Sequence, residues 1–361
     1  MKKIMIFIYC ICLFLMVGCE KLKETVSRND TKLKVNPAFV ALADGDSKLI
    51  FLDKKMNIVK EIENKNKFQS FSIEGNRVYA IDDGTYMGTK PSMLIINLSS
   101  GHVEKKLKLP HVPSSYAVLK QKVYMASSEI FREGMPFFVV NVSSGKVEKL
   151  TFTSGMVSTI KHYKNEIFIT INSGGKSSEH SNVYRIQIND ASLSFHPVIK
   201  DNIELPPSDF VIEDNKMYCV FTGFSYGPRP EWVKNPERYT NKLMVVDLNN
   251  GQIISEKKLS KPFPQKIINI GNKLYINNYT DLDMKGGFFT ILDKNDLSES
   301  FFSIENPAYF DYNKRFEEFI VSNPQNGTLR LVKNGKVVKK IKVGDNCSIV
   351  KAVQKNKLYC R

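Results

Sequence analysis

The most chemically distinctive part of the sequence is the stretch 222–240. It holds the single tryptophan, three further aromatic residues, two arginines and three prolines. Aromatic and guanidinium side chains on a proline-stiffened segment offer a large contact area at a small ordering cost. We therefore interpret this stretch as a recognition surface whose candidate ligand-binding residues are Tyr226, Arg229, Trp232, Arg238 and Tyr239. In the alternative interpretation, the stretch folds back and Trp232 fills a gap between neighbouring elements.

Residues suited to catalysis or metal binding form no comparable set. The five histidines are scattered along the chain, and no His-Glu-x-x-His helix motif is present. Asp281-Leu282-Asp283 has the spacing of the start of a calcium loop, but Lys285 and Leu292 occupy places where oxygen ligands are required. We therefore predict no catalytic residue, no metal ion and no cofactor.

The N-terminal residues have the pattern of an export signal. Lys2 and Lys3 precede an apolar run from Ile4 to Val17, and a polar stretch follows Cys19. Such a run is short for a membrane span and is typical of a secretory signal peptide. Its end, Leu15-Met16-Val17-Gly18-Cys19, resembles the lipobox of bacterial lipoproteins.

This resemblance implies removal of the signal peptide 1–18 and acylation of Cys19 with diacylglycerol, the palmitate-type anchor of a lipoprotein. Two acyl chains suffice for stable membrane attachment. We then expect residues 19–37 to form a flexible tether and the protein to be lipid-anchored at the cell membrane, on its extracytoplasmic side. The alternative is an uncleaved anchor, or an ordinary signal peptide with an incidental cysteine.

Composition and charge narrow the class of protein further. A content of 42% hydrophobic and 25% charged residues is that of a folded chain. Without residues 1–18 the chain has 50 basic and 37 acidic residues, a net charge of +13. This charge favours an anionic headgroup or wall polymer as a neighbour and disfavours nucleic acid, because the lysines are spread along an exported chain. A solubilising charge without a specific partner remains the alternative.

An apolar triplet ending in Asp or Asn recurs along the chain and is followed by a turn. The last positions of successive copies are 44, 44, 48, 58, 46 and 40 residues apart. Gly and Asn in the turns supply the positive φ angles that tight hairpins need. The copies end at Asp53, Asn97, Asn141, Asn189, Asp247, Asp293 and, more loosely, Lys333.

A second pattern, Asn or Gln followed by a polar residue and a strand with an aromatic, lies between the copies of the first. It begins at Asn76, Gln121, Asn165, Asn215, Asn272, Asn313 and Asn356. Two interleaved hairpin signals in each unit of about 45 residues indicate four antiparallel strands, the sequence signature of β-propeller blades. We therefore predict an all-β fold over residues 38–361, a β-propeller of seven four-stranded blades.

Closure of the ring is expected from the position at which the repeats begin. The chain starts within a blade, so C-terminal strands at 346–360 should complete the sheet begun by residues 48–62. Phe39–Ala43 also has the composition of a strand, and it either displaces the last strand or belongs to an eighth, incomplete unit. Cys347 and Cys360 flank the last predicted hairpin about three residues out of register, and whether they are bridged stays open. Cys219 is expected to be a small core residue.

Two segments resemble the YVTN-type, surface-layer-like β-propellers. They are the strand Lys273-Leu274-Tyr275-Ile276-Asn277-Asn278 and the hairpin from Ser92 to Val103, and the resemblance spans about 47–360. It implies the same ring architecture on an exported protein.

The longest connections all emerge on one predicted face of the ring. They run from Asp82 to Pro91, Ser127 to Met135, Asn172 to Ser181, Thr222 to Thr240 and Tyr279 to Gly286. Long loops on a rigid scaffold are where binding residues usually lie. Further candidates on this face are Tyr86, Phe131 and Arg132, and with less weight Tyr279, Asp281 and Asp283.

Together these observations predict a binding module that is more consistent with a non-enzyme than with an enzyme. Its ligand would be a protein, a peptide or an anionic wall polymer held on the long-loop face. The alternative is a glycan- or peptide-cleaving hydrolase or lyase with its site at the mouth of the axial channel.

Overall fold

A computed structural model of the chain describes residues 33, 35–84, 88–127, 129–172, 182–188, 192–201, 203, 206–222, 241–279 and 286–354. These residues are strands and their connections. They belong to one compact unit that begins at Leu33. Within the described ranges there is no helix long and apolar enough to cross a membrane.

The first fourteen strands run from blade 1 to the third strand of blade 4. Their bounds are β1 Phe39–Ala43, β2 Lys48–Leu52, β3 Ile58–Glu63, β4 Phe68–Glu74, β5 Arg77–Asp82, β6 Ser92–Asn97, β7 Val103–Lys108, β8 Pro113–Leu119, β9 Lys122–Ser127, β10 Met135–Asn141, β11 Val147–Thr153, β12 Met156–Tyr163, β13 Glu166–Asn172 and β14 Asn182–Ile188.

The second fourteen strands complete the ring. Their bounds are β15 Leu193–Pro197, β16 Asp209–Glu213, β17 Lys216–Phe221, β18 Lys242–Asp247, β19 Ile253–Lys258, β20 Pro264–Ile270, β21 Lys273–Tyr279, β22 Gly287–Asp293, β23 Glu299–Ser303, β24 Tyr309–Asn313, β25 Glu318–Asn323, β26 Thr328–Lys333, β27 Lys336–Lys342 and β28 Val350–Ala352.

The strands form seven antiparallel sheets of four strands each, arranged in a ring as a seven-bladed β-propeller. In blades 2 to 7 the strand order follows the chain, from β4-β5-β6-β7 to β24-β25-β26-β27. First strands of adjacent blades lie against each other, as β8 with β12 and β24 with β28, so they are nearest the axis. The predicted fold class and blade count are confirmed.

The middle strands of each blade are apolar runs because neighbouring blades cover both of their faces. In β5, β9 and β25, every residue after the first is buried, and the outermost strands are half exposed. A strand buried on both faces is expected to show a continuous apolar run rather than an alternating one. This burial accounts for the apolar triplets of the repeat.

The Asp or Asn that ends each triplet holds the following turn. Asn97 Oδ1 accepts hydrogen bonds from the backbone N–H of Ser99 at 2.9 Å and of Ser100 at 3.2 Å. Asp53, Asn141, Asp247 and Asp293 make equivalent bonds of 2.8–2.9 Å to their own turns. A short side-chain oxygen that caps turn N–H groups explains why only these two residue types occupy the position in these five copies.

Blade 1 closes the ring with strands from both ends of the described chain. Its sheet has the order β28-β1-β2-β3, with Phe39 opposite Ala352 and Ala41 opposite Val350. Further backbone bonds join Leu42 N to the carbonyl of Ile349 at 2.9 Å, and Val353 N to that of Ala38 at 2.8 Å.

The closure corrects one detail of the expectation from sequence. A single described C-terminal strand, β28, enters this sheet, and Phe39–Ala43 fills the second place in it. Phe39–Ala43 therefore does not begin an eighth unit. The strand pattern at Asn356 lies outside the described residues.

The hydrophobic core lies between the blades rather than in one centre. A cluster of buried side chains joins blade 1 to blade 7 through Phe39, Ile50, Ile320 and Leu329, and another joins blade 1 to blade 2 through Phe51 and Phe71. Each sheet thus shares a core with the sheet on either side.

The cysteines that can be described are core residues. Cys219 and Cys347 are fully buried free thiols, and burial raises the pKa of both well above the ordinary value. Cys219 is the small core residue that the sequence predicts. Cys360 lies outside the described residues.

Ending the chain after residue 345 removes β28 and should destabilise the whole ring. It exposes the edge of β1, whose five residues are all buried, and it removes several backbone hydrogen bonds worth about 1 kcal/mol each. We expect a loss on the order of 5 kcal/mol in the free energy of unfolding, measured by denaturant titration. The matched control ends after residue 354 and keeps β28; equal stability of the two truncations would contradict this closure.

Candidate functional site

The connections divide between the two faces of the ring. Loops from second to third strands, together with links from one blade to the next, emerge on one face, the long-loop face. Turns from first to second and from third to fourth strands emerge on the opposite face, the short-turn face. This division is the one that the sequence predicts.

Most of the predicted recognition residues lie outside the described part of the chain. Tyr86, Tyr226, Arg229, Trp232, Arg238 and Tyr239 are among them, as are Asp281 and Asp283. Tyr279 is described and is only 6% exposed, and burial raises its pKa to about 12, with the neighbouring Tyr309 adding to the shift. Tyr279 thus lies at the end of β21, on the long-loop face, with its side chain buried.

Both ends of the 222–240 insertion are held on the long-loop face beside the link from blade 5 to blade 6. The Thr222 hydroxyl bonds to the carbonyl of Pro264 and lies 2.6 Å from the hydroxyl of Ser208. Asn241 accepts from Phe263 N at 3.1 Å through its side chain, and its carbonyl accepts from Leu259 N at 2.6 Å. The insertion therefore leaves and re-enters the ring at two fixed points.

The prediction of no catalytic residue assumed that no Gly-x-Ser-x-Gly motif is present, which is wrong, because the insertion contains one. Gly223-Phe224-Ser225-Tyr226-Gly227 spells the Gly-x-Ser-x-Gly pattern of serine hydrolases. In those enzymes, the serine sits on a turn from a strand into a helix. Here the flanking strands β17 and β18 pair with each other as neighbours in one sheet, which is a different context for the motif.

Phe131 and Arg132 lie in a described loop of the long-loop face, residues 129–134 of blade 3, which we call the blade 3 tip. Phe131 and Gly134 exchange two backbone hydrogen bonds of 2.9 and 3.1 Å, and Arg132 is exposed at the turn between them. Gly134 has φ +122°, and a β-carbon there would lie 2.3 Å from the carbonyl oxygen of Thr153. The tip is therefore a tight, well-defined turn.

A histidine from the preceding link fixes the blade 3 tip. His111 Nδ1 lies 2.6 Å from Glu129 Oε2, and its ring stacks on Phe138 at 5.2 Å and meets Phe131 edge-on at 5.3 Å. Sequence reasoning missed His111, because nothing local to it indicates that a loop 18 residues later packs on its ring.

The blade 3 tip exposes apolar side chains on a hydrogen-bonded turn. Ile130 is 80% exposed and Phe131 41% exposed. Leu150 and Phe152, also exposed, stand on the same side of the adjoining strand β11, and Phe152 reaches Gly134. An exposed apolar cluster held in one conformation is typical of an interaction surface.

A second feature, an axial charge ladder, lies on the innermost strands of five consecutive blades. It alternates in sign around the ring: Lys161, Asp209, Lys266, Asp311 and Lys351. Successive members are 48, 57, 45 and 40 residues apart, which follows the spacing of the blade repeat. The repeat spacing was therefore a signal by which sequence reasoning could have found this ladder, and it was missed.

Members of the ladder connect the innermost strand of one blade to the innermost strand of the next. Lys161 Nζ lies 2.5 Å from Asp209 Oδ1, and the other oxygen of Asp209 accepts from Ile267 N at 3.1 Å. Lys266 Nζ donates to the carbonyl of Phe310 at 2.7 Å, and Asp311 Oδ2 accepts from Ala352 N at 3.0 Å. The ladder is thus a set of contacts between blades at the axis.

Lys266 has the most perturbed electrostatics in the ladder. Burial lowers its pKa to about 7, and the positive charges of Lys351 and Lys161 oppose its protonation, while Asp311 and Asp209 partly offset these effects. As a whole residue, Lys266 is half-buried.

The short-turn face carries two polar clefts between neighbouring blades. One of about 430 Å³ lies between blades 2 and 3, lined by polar residues such as Glu74, Arg77 and Glu104. The other, of about 510 Å³, lies between blades 4 and 5 beside Arg185 and His196. Among the described residues, no group of three or more His, Cys, Asp or Glu is placed to hold a metal ion.

Comparison with known proteins supports the architecture. No protein-family model matches the sequence, and no curated protein matches it. A functionally unknown protein from Desulfotomaculum acetoxidans matches with a TM-score of 0.66 at 10% identity, over 89% of this chain and 100% of that chain.

Two further solved structures are similar in the same way. The β-propeller domain of Cps50 (Swd1) from Myceliophteria thermophila matches with a TM-score of 0.57 at 10% identity, over 79% of this chain and 90% of that chain. BamB from Moraxella catarrhalis matches with a TM-score of 0.51 at 11% identity, over 88% and 89%. At these identities the likeness shows the β-propeller fold alone.

The free energy of unfolding should rise with pH because of Lys266. Its pKa is about 7 in the folded chain and about 10.4 when unfolded, so between these values the unfolded chain binds the extra proton and stability increases with pH. We expect a gain of about 1 kcal/mol between about pH 7 and pH 9, measured by denaturant titration, that is absent in Lys266→Met. A parallel pH dependence in both proteins would show that Lys266 stays charged in the folded state.

Proposed function

We propose that this protein is a lipid-anchored extracytoplasmic binding module that holds a protein or peptide partner on its long-loop face. The observation that carries the proposal is the blade 3 tip, where Ile130 and Phe131 are exposed on a loop fixed by hydrogen bonds and by His111. Such a tip loses little conformational entropy when a partner covers it. Its apolar chemistry favours a protein or peptide over a wall polymer as the ligand.

The axial charges favour binding over the hydrolase or lyase alternative. A catalytic carboxylate at the channel mouth has to be available to a substrate. Asp209 is 6% exposed and contacts Lys161 as well as the backbone of β20 in the next blade. Asp311 accepts a hydrogen bond from the backbone of β28 in blade 1. Both carboxylates thus serve contacts between blades.

The lipid anchor rests on the lipobox resemblance around Cys19 and on where the chain reaches the ring. Leu33 N donates to the carbonyl of Ser99, in a turn of the short-turn face, at 3.0 Å. The described chain therefore approaches from the face opposite the long loops. An anchor on that side would leave the long-loop face open to a partner.

Replacing Ile130 and Phe131 together by serine should reduce capture of the partner at least about tenfold, because exposed anchors of this kind carry most of an interface's binding energy. Capture is measured by cross-linking in intact cells and quantifying the bands that the wild-type protein retains. Ile254→Ser, an equally exposed apolar residue on the outer strand of blade 5, is the control and should retain them. The melting temperature should be unchanged in all three proteins.

The same assay tests the 222–240 insertion through Trp232→Ala with Arg229→Ala, and through deletion of 223–239. Unaltered capture by the Ile130 and Phe131 variant, together with loss by the insertion variants, would move the site to the insertion. Unaltered capture by all of them would contradict a partner on the long-loop face.

Replacing Cys19 by serine should move the protein from the membrane fraction to the soluble fraction of cells. Serine lacks the sulfur atom to which the diacylglycerol would be attached. The variant would therefore carry no acyl chains to hold it in the membrane. The measurement is fractionation with metabolic labelling by a radioactive fatty acid. Retention of Cys19→Ser in the membrane, or absence of label from the wild-type protein, would contradict the anchor.

A further inference from the structure

Five exposed lysines gather where blade 7 meets blade 1, and we call them the seam lysines. Two of them lie on the outermost strand β27, one ends β26, and two lie in the adjoining turn of blade 1. The Nζ atom of Lys339 bonds to the carbonyl of Lys55, so strand and turn touch. The seam lysines are Lys54, Lys55, Lys333, Lys336 and Lys339.

The seam lysines lie next to one another without the salt-bridge partners that some lysines have on other blades. On other blades lysines pair across strands, as Lys122 with Glu148 at 2.8 Å and Lys242 with Glu256 at 2.9 Å. Among the described residues, none of the seam lysines belongs to a salt bridge. β27 itself has four lysines and no acid.

One carboxylate of this region, Asp53, interacts electrostatically with Lys339. Asp53 also accepts hydrogen bonds from Lys55 N and Asn57 N, both at 2.8 Å, and from the side chain of Asn57 at 2.9 Å, so it caps its own turn. A single carboxylate does not neutralise five lysine charges, which favours an anionic partner outside the chain.

Protection of an edge strand explains only part of this arrangement. Lysines on an exposed edge discourage another strand from pairing with it, and β27 is such an edge. Lys54, Lys55 and Lys333 lie in or beside turns, where no strand could be added. A shared anionic partner accounts for both groups.

The position of the seam lysines in the ring favours a membrane surface as their partner. Its turn lysines lie on the short-turn face, the face at which the chain reaches the ring at Leu33. Thirteen residues lie between Cys19 and Leu33, and this stretch spans at most about 50 Å when fully extended. The surface to which Cys19 would be attached is therefore within reach of this face.

We propose that the seam lysines dock the ring on an anionic phospholipid surface. This inference rests on the proposed lipid anchor for its biological setting. The anchor holds the protein at the membrane, and the seam fixes which face is turned to it. The long-loop face then points away from the bilayer.

The test uses the chain from residue 20 to residue 361, which keeps every described strand and lacks Cys19. Binding is measured by co-sedimentation with vesicles of phosphatidylglycerol and phosphatidylcholine, and with phosphatidylcholine alone. Each lysine at such a surface contributes about fivefold to binding. Lys54→Gln with Lys333→Gln and Lys336→Gln should therefore weaken binding to the anionic vesicles roughly a hundredfold.

The matched control removes the same charge from blades 5 and 6. Lys216→Gln with Lys258→Gln and Lys273→Gln should change binding by less than about threefold, and raising the salt from about 0.1 M to about 1 M should release the wild-type chain. An equal loss in both triple variants, or no loss in the seam variant, would overturn the proposal. So would equal binding to neutral vesicles.

A soluble polyanion distinguishes a wall polymer from a membrane. If a poly(glycerol phosphate) chain binds the seam tightly enough to prevent vesicle binding at equal phosphate concentration, the seam belongs to a polymer and the membrane assignment fails. Because this experiment contains no Cys19, its result is independent of whether the lipid anchor exists. The fractionation of Cys19→Ser tests the anchor separately.

Discussion

The structure depends on one constraint: each four-stranded sheet is apolar on both faces and can be covered only by two neighbours. Phe39 and Ile50 of blade 1 share a core with Leu329 of blade 7, while Phe51 shares one with Phe71 of blade 2. A ring satisfies this requirement for every blade and leaves no uncovered end to the stack. The β1–β28 pairing is therefore a global requirement, since without it both terminal sheets would expose a core face.

Neighbouring blades contact each other at two distances from the axis, through different kinds of interaction. Near the axis, the charge ladder crosses from blade to blade, with Lys161 on Asp209 and Lys266 on the carbonyl of Phe310. Farther out, turns between third and fourth strands in the described part of the chain pack on the preceding blade. Gly251 shows how closely, because at φ +74° a β-carbon there would lie 2.5 Å from the carbonyl oxygen of Val198.

Sequence reasoning succeeded where the information is local and periodic. The Asp or Asn at the end of each apolar triplet is a local cap, so its spacing revealed the number of blades. The partner of the last strand is harder to predict from sequence, because distant segments of the chain compete for the place beside it. Phe39–Ala43 fits the second place because that place is buried on both faces and all five of its residues are apolar.

The candidate sites were harder to predict because their partners are far apart in sequence. His111 and Glu129 meet across 18 residues, with no local pattern to connect them. Lys161 and Asp209 are 48 residues apart, and only the blade repeat connects them. The burial of Tyr279 was hard to predict for a related reason. It lies at the end of β21, where burial depends on contacts with residues distant in sequence.

The seam lysines bear on stability as well as on location. They lie where blade 7 meets blade 1, the junction that closes the ring, and their mutual repulsion acts against that closure. Anything that neutralises them while the ring is closed, and not when it is open, must stabilise the closed form by linkage. An anionic surface at the short-turn face would therefore orient the propeller and strengthen the junction on which its fold depends.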